Sequence, residues 1–280
     1  ESICRYYEEC GGCSLMHQLE KKQLAFKENK VRELFSRFAG ISDFEIESIS
    51  HGRSTDYRNK VVFHGMNNQL GFYRGKSHDL VPIRKCLLVD DEINQVYQQL
   101  QNYLATYPNE KMEKLMIRRT SLNETMLVVK GRINQELFCS FLSTLSLTSI
   151  FLNGKLVSGK PYITEKIFDL QFRILPDAFF QVNYEMMLKL YQKVIDYYRD
   201  KHYHKVLDLY SGTGTIGLLL TPYVEEVIGI EVVEDAVQAA KMNQEINQVE
   251  NISFIQGKVE DYIEDAPKSR NTVTYSFLQI

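Results

Sequence analysis

The sequence predicts two fold classes in one chain. Residues 174–280 are expected to form an α/β, Rossmann-like domain around a parallel sheet, and residues 41–173 an α+β domain on antiparallel sheet. Three observations predict this. The first is the run from Val206 to Leu220: a short apolar stretch, the glycine turn Tyr210-Ser211-Gly212-Thr213-Gly214, then apolar residues opening a helix. Such a run suits a strand buried on both faces that feeds a helix through a tight turn. The second is the continuation through Val227–Glu231, Asp235–Asn247 and Ile252–Gln256, which completes the strand–helix alternation of a doubly wound sheet. The third is the series of short alternating strands with turn signals over the preceding hundred residues.

Taken in order, residues 1–13 read E-S-I-C-R-Y-Y-E-E-C-G-G-C, a loop with three thiols and a Gly-Gly pair. Residues 14–40 have helical periodicity, with Leu15, Leu19, Phe26, Leu34 and Phe38 near one face and Gly40 as the C-cap; that stripe is expected to be buried. Ile46 to Val89 reads as antiparallel sheet, with a hairpin turn at Met66-Asn67-Asn68-Gln69. Asp90 to Tyr107 is an amphipathic helix stopped by Pro108, Lys114 to Lys130 a strand pair turning near Asn123, and Gln135 to Leu145 a helix. Thr148 to Phe172 gives further strands around an Asn153-Gly154 turn. Ile174 to Asn183 marks the domain boundary, and a long helix follows from Tyr184, with Asn183 as its N-cap.

Bulk composition narrows the class. Apolar residues make up 44% and charged residues 25%, as in ordinary soluble proteins, and the net charge of -3 does not announce a nucleic-acid binder. No run approaches the roughly 18 apolar residues of a membrane span and no secretory signal opens the chain, so a cytoplasmic protein, acting as a monomer, is expected. The first residue is Glu1 and not Met, so a preceding segment is expected.

Three stretches carry chemistry. At the glycine turn, Gly212, Gly214 and Gly217 have the G-x-G-x-x-G spacing, a weak signal alone. Asp208 before the turn would repel a pyrophosphate but can face a sulfonium, and Glu231 at the end of the next strand can grip ribose hydroxyls. The expected ligand is therefore S-adenosylmethionine (SAM), not a dinucleotide. Cys4, Cys10 and Cys13 with a distant Cys86 are the pattern of an iron–sulfur cluster, although zinc would use the same four thiolates; Cys139 reads as a core residue. Residues 51–86 are locally basic. Arg53, Arg58, Lys60, Arg74 and Lys76 lie among Tyr57, Phe63, Phe72, Tyr73 and three histidines, which suits phosphate contact and base stacking on RNA.

Taken together, C-x5-C-G-G-C, the later Cys86, F-F-Q-V-N and L-D-L-Y-S-G-T-G resemble the RNA uracil-5 methyltransferases of the RumA/TrmA type, and most closely their iron–sulfur-containing branch that acts on ribosomal RNA. The resemblance implies that Cys4, Cys10, Cys13 and Cys86 hold a [4Fe-4S] cluster. It implies that Phe179 and Gln181 line the SAM and uridine site, that Tyr210, Gly212 and Glu231 surround SAM, and that the helix within 14–40 packs with the methyltransferase domain. It also implies covalent chemistry: a cysteine thiolate adds to carbon 6 of the uracil, carbon 5 takes the methyl group, and a base then removes the carbon 5 proton.

The chain departs from that family where the chemistry would be completed. The nucleophilic cysteine in S-C-N-P, the carboxylate base and a D-P-P-R turn belong after the fourth strand; no S-C-N-P occurs, and Asp265-Ala266-Pro267-Lys268 is not D-P-P-R. The nucleophile and base are thus expected beyond Ile280, the methyltransferase domain is expected to be incomplete, and the 280 residues are expected to be inactive alone. The full protein is expected to methylate uridine carbon 5 in RNA, ribosomal RNA ahead of tRNA. A non-catalytic RNA-binding iron–sulfur protein and a SAM methyltransferase with another substrate are the alternatives.

Overall fold

The computed structural model describes residues 2–201, 203–263 and 273–277. The chain divides into two compact units: Glu1–Ile117 with Val128–Leu145 and Leu152–Lys155, and Arg118–Leu127 with Ser146–Phe151 and Leu156–Ile280.

In the first unit, turns over the cysteine loop lead into α1 (Glu20–Leu34), which ends in a π-helical turn at Phe35–Ala39. Gly40 closes it in the left-handed region at φ 66°, the C-cap its sequence suggests. The apolar stripe of this helix is not buried as its periodicity suggests: α1 has no buried residue, and Leu19, Phe26, Leu34 and Phe38 are exposed. Strands also start later than expected, since β1 spans Lys60–Met66 and residues 46–59 are irregular. Asp56 has positive φ there, and the Asp56, Tyr57 and Arg58 N–H groups donate to the Leu87 and Leu88 carbonyls.

β1 and β2 (Gln69–Tyr73) pair antiparallel with Met66 opposite Gln69, so the loop is the two residues Asn67 and Asn68. Both have positive φ, as the right-handed twist of a two-residue hairpin demands. β3 (Leu80–Pro82) adds to β2. α2 (Asp91–Thr106) is capped by the Asp90 carboxylate, which accepts the Glu92 N–H, and it stops short of Pro108. Ile93, Tyr97, Leu100 and Leu104 recur on its buried face, where the Tyr97 ring stacks 4.0 Å from Phe63. β4 (Lys111–Arg119), β5 (Thr125–Arg132), α3 (Gln135–Leu142), β6 (Ser149–Leu152) and β7 (Lys155–Gly159) follow, with Arg118–Leu127, Ser146–Phe151 and the residues from Leu156 on belonging to the second unit; in the first unit β3, β2 and β1 are neighbours in that order. α3 is three residues shorter than expected, because its last turn closes at Ser143 with a hydroxyl bond to the Ser140 carbonyl.

In the second unit, the hairpin β8 (Ile163–Ile167) and β9 (Leu170–Ile174) precedes α4 (Tyr184–Arg199), whose N-cap Asn183 accepts the Met186 N–H at 3.1 Å. Then come β10 (Lys205–Leu209), α5 (Thr215–Leu220), β11 (Glu226–Glu231), α6 (Glu234–Ile246), β12 (Ile252–Gln256), α7 (Val259–Ile263) and β13 (Val273–Phe277). The sheet order is β12-β11-β10-β13, parallel throughout. The chain moves outward from β10 through β11 to β12 and returns to the other side of β10 at β13. The strand order therefore reverses at β10, where an open α/β sheet forms its ligand crevice. Asp265-Ala266-Pro267-Lys268 lies outside the described residues. Among the described residues no helix is long and apolar enough to cross a membrane.

Candidate functional site

The glycine elbow sits at the carboxyl end of β10. Tyr210, Gly212 and Gly214 all have positive φ, at 58°, 54° and 77°, which folds the chain sharply back into α5. A Cβ at Gly214 would stand 2.5 Å from the Phe254 ring, and one at Gly229 would meet the same ring at 2.5 Å, so the elbow and the two neighbouring strands close on one aromatic side chain. A Cβ at Gly212 would meet nothing within 4 Å. One glycine is thus required for packing, and the other leaves open space above the turn.

Glu231 ends β11 beside that space. Its Oε2 accepts the Gly212 N–H at 3.0 Å and its Oε1 the Val233 N–H at 2.9 Å, so the carboxylate is fixed to both lips of the crevice while staying half-buried. Asp208 is placed differently from its sequence reading. Only 3% exposed, it lies beneath the turn, and its Oδ2 accepts the Gly217 N–H at 2.8 Å. Burial pushes its carboxyl up to about 7, with the Glu231 charge acting in the same direction and the Gly217 N–H against it. Asp208 therefore holds the first turn of α5 and does not line open space. Tyr210 is exposed, its hydroxyl donating to Glu260 Oε1 at 3.0 Å, and Ser211 Oγ is buried without a partner among the described residues.

The segment before α4 presents Phe179 to solvent at 68% exposure, while Phe180 is buried and Gln181 half-buried. Two residues that the sequence reading missed support these parts. Arg118, on β4 and 2% exposed, donates from Nη2 to the Ala178 carbonyl at 3.1 Å, and burial lowers its guanidinium to about 10. Asn243 of α6, fully buried, donates to the Thr213 carbonyl at 3.2 Å and accepts the Arg173 N–H at 2.8 Å, tying the elbow to β9. A polar residue on the apolar face of α6 is the one sequence signal that could have found Asn243.

In the first unit, Cys4, Cys10, Cys13 and Cys86 line a single cavity of about 40 Å³. Local structure brings them there. Gly11 donates its N–H to the Tyr73 carbonyl at 2.9 Å, and a Cβ on Gly11 would come within 2.8 Å of that oxygen, so only glycine lets the loop lie so close to β2. The Tyr6 hydroxyl accepts the Arg84 N–H at 3.1 Å. Asn94 of α2, 2% exposed, accepts the Cys86 N–H at 3.0 Å and donates to the Cys86 and Val89 carbonyls at 3.1 and 3.0 Å. Burial first, and neighbouring thiols second, raise Cys13 to about 11. Cys10 and Cys86 are likewise raised, mainly by burial. Among the described residues, no group of three or more His, Cys, Asp or Glu side chains is drawn together as for one metal ion. Cys139 is apart, on α3.

The five basic residues do not form one uniform surface. Arg58 lines the thiol cavity, and Arg74 pairs with Glu9 at 3.0 Å. Arg53 and Lys76 are exposed and Lys60 is half-buried on β1. An aromatic set lies close to them: His64 stacks on Tyr73 at 3.9 Å, and His78 meets Tyr73 edge-on at 5.1 Å.

A family model described as tRNA (uracil-5-)-methyltransferase matches residues 19–276 of this chain. An uncharacterized RNA methyltransferase of Staphylococcus aureus is 30% identical over 295 residues, an alignment covering 93% of this chain and 65% of the relative. One of Clostridium tetani is 33% identical over 298 residues, covering 94% and 64%. The chain thus spans about 65% of the length of the curated relatives it matches. Among solved structures, the tRNA (uracil-54, C5)-methyltransferase of Pyrococcus abyssi, in complex with S-adenosyl-L-homocysteine, superposes with a TM-score of 0.73 at 23% identity, covering 89% of this chain and 65% of that one. At that identity the likeness speaks for the fold.

Proposed function

The chain belongs to the tRNA (uracil-5-)-methyltransferase family, and from that premise we propose that the protein transfers a methyl group from SAM to carbon 5 of a uridine in RNA. The observation that carries the reading is the elbow at β10, with Glu231 fixed on the Gly212 N–H next to space that, among the described residues, nothing fills within 4 Å of a Cβ on Gly212. The residues suit the donor. Glu231 offers a carboxylate to ribose hydroxyls, Ser211 Oγ is a buried polar atom that lacks a partner among the described residues, and Gly212 allows close backbone approach. When bound, SAM supplies the methyl group. The chain's own residues bind and orient: Asp208 fixes the start of α5, Asn243 anchors the turn, and Arg118 holds the segment that carries Phe179 and Gln181.

The four-thiol cavity is proposed to hold a [4Fe-4S] cluster. What supports this is the arrangement: all four thiols line one cavity, as four cluster ligands must, and zinc, which would use the same four thiolates, is the second reading. RNA is proposed to lie along the His64, Tyr73 and His78 face, with Arg53, Lys60 and Lys76 at the phosphates and Arg74 freed when its Glu9 pair opens. Ribosomal RNA is the substrate that the cysteine pattern favours. The tRNA substrate named for the Pyrococcus abyssi neighbour is the second reading.

Carbon 5 of uracil needs a nucleophile at carbon 6 to become reactive. Of the five cysteines, four line the cavity and Cys139 lies on α3, so these 280 residues are proposed to bind SAM without methylating RNA. The test is calorimetric titration with SAM, beside a transfer assay on unmodified ribosomal RNA and tRNA. Binding that falls roughly 10- to 100-fold in Glu231→Ala, with no transfer, is expected. Binding indifferent to Glu231 would overturn the reading of the elbow, and turnover by these 280 residues would overturn the proposal that they bind without methylating. Comparing the affinity of these residues for unmodified ribosomal RNA and for tRNA decides between the two substrates.

A further inference from the structure

The thiol cavity contains a cation that the family reading does not use. Arg58 lines it together with the four cysteines, and its Nε is closed off from solvent with no hydrogen-bond partner among the described residues. Leaving a buried guanidinium N–H unpaired is costly, so its placement calls for an acceptor. Backbone geometry puts it there on purpose: the Arg58 N–H donates to the Leu88 carbonyl at 2.8 Å and the Arg58 carbonyl accepts the Asp90 N–H at 3.2 Å, locking Arg58 against the Cys86 loop. The second cation at the cavity, Lys85, already has a partner in Asp91 at 2.5 Å. Another donor aims at a sulfur too, for the Gly12 N–H lies 3.4 Å from Cys10 Sγ.

Four thiolates around a [4Fe-4S] core carry a net negative charge, and hydrogen bonds to the sulfurs tune such a centre. Resting on the cluster reading above, we infer that Arg58 is the cation that balances the cluster, donating its Nε–H to a cluster or cysteine sulfur and thereby raising the cluster's reduction potential. One-electron reduction makes the centre more negative, so a fixed positive donor favours the reduced form. Among the described residues, the other cation at the cavity, Lys85, is held by Asp91.

The experiment is anaerobic reconstitution with iron and sulfide of the wild-type chain and of Arg58→Met, Arg58→Lys and Lys85→Met. Iron and sulfide content, thermal stability and a redox titration followed by visible absorbance and electron paramagnetic resonance are then measured. Arg58→Met is expected to hold the cluster with a more negative potential: at the wild-type midpoint its reduced-to-oxidised ratio should fall by about tenfold, equivalent to about 59 mV for one electron. Arg58→Lys keeps the charge but lacks Nε, so it should shift in the same direction by less. Lys85→Met should shift least. Should Arg58→Met unfold, Arg58→Lys decides. An unchanged potential in the loaded Arg58 variants overturns the inference and leaves the cluster reading standing. A wild-type chain that takes up zinc, or no iron and sulfide, overturns both.

Discussion

Gly212 and Gly214 are two residues apart in one turn, both at positive φ, yet the structure assigns them different work. Replacing either with alanine forces an L-residue into the left-handed region, which costs roughly 1–2 kcal/mol. At Gly212 nothing else is added, because its Cβ would meet no atom within 4 Å. At Gly214 the new methyl would stand 2.5 and 2.8 Å from Phe254 ring carbons and 3.1 Å from Ala240 Cβ, so an overpacking cost of roughly 1–3 kcal/mol is added. Gly214→Ala should therefore lose roughly 2–5 kcal/mol and Gly212→Ala only about 1–2. The assay is hydrogen exchange of the β10 and β11 amides under increasing urea, which reads this unit directly. Ligand binding should rank the two in reverse. The Gly212 methyl points where the donor is proposed to sit, so Gly212→Ala should weaken SAM binding by tenfold or more, about 1.4 kcal/mol per decade. Pairing Gly214→Ala with Phe254→Leu should recover about 1–3 kcal/mol of the predicted clash as a coupling energy. Equal stability losses for the two glycines, or a Gly212→Ala chain that binds SAM as tightly as wild type, would refute the reasoning.

Three further outcomes are expected. Asn94→Ala strips three hydrogen bonds from the Cys86 loop and should cost roughly 2–4 kcal/mol and lower cluster occupancy, measured by urea unfolding and by iron content after reconstitution. Asn243→Ala leaves the Thr213 carbonyl and Arg173 N–H without their partner in a fully buried place. It should cost roughly 2–5 kcal/mol and weaken SAM binding, measured by the same exchange and calorimetry; a loss below 0.5 kcal/mol, roughly the limit of a surface substitution, would sink it. For Asp208 the folded pKa of about 7 exceeds the ordinary 3.8, so between those values the folded chain holds a proton that the unfolded chain has lost. Stability from this group is full below that window and falls as pH rises through about 7. Asp208→Asn, which can still accept the Gly217 N–H, should remove that slope from the ligand-free chain, measured as the wild-type minus variant difference in urea midpoint across the window.

How far the sequence could be read depended on how local the governing forces were. The β10 elbow, the β11 and β12 strands, α2, α4 and the Asn67-Asn68 hairpin follow from apolar runs, caps and turn residues that lie within a few positions of what they organise. Convergence of the four cysteines was also legible, because three share one loop. α1 misled: periodicity identifies a helix with an apolar face, but what covers that face is not encoded within the helix, and Phe26 and Phe38 remain exposed among the described residues. Asp208 misled for a related reason. A carboxylate before a glycine turn can face the ligand or the helix it precedes, and only the burial of β10 beneath α5 selects the second. Arg58 was counted with the solvent-facing cations because charge in a sequence carries no direction.

The supports missed by sequence reading share a physical form. Asn94 and Asn243 each sit on the buried face of an amphipathic helix and satisfy main-chain groups outside it, Cys86 and Val89 of the loop before α2 in one unit, Thr213 of the elbow and Arg173 of β9 in the other. A helix-face asparagine reads as a surface residue, since its intrinsic helix propensity is modest and its partners lie elsewhere in the chain. A side-chain amide can accept one backbone N–H and donate to carbonyls at once, which suits it to irregular backbone that no ladder can satisfy. Irregular backbone is what both candidate sites need: a glycine turn open to a ligand at one, a cysteine loop around a cavity at the other. Each amide replaces the hydrogen bonds that regular structure would have given, so the loops hold their shape while their outer faces stay available for binding.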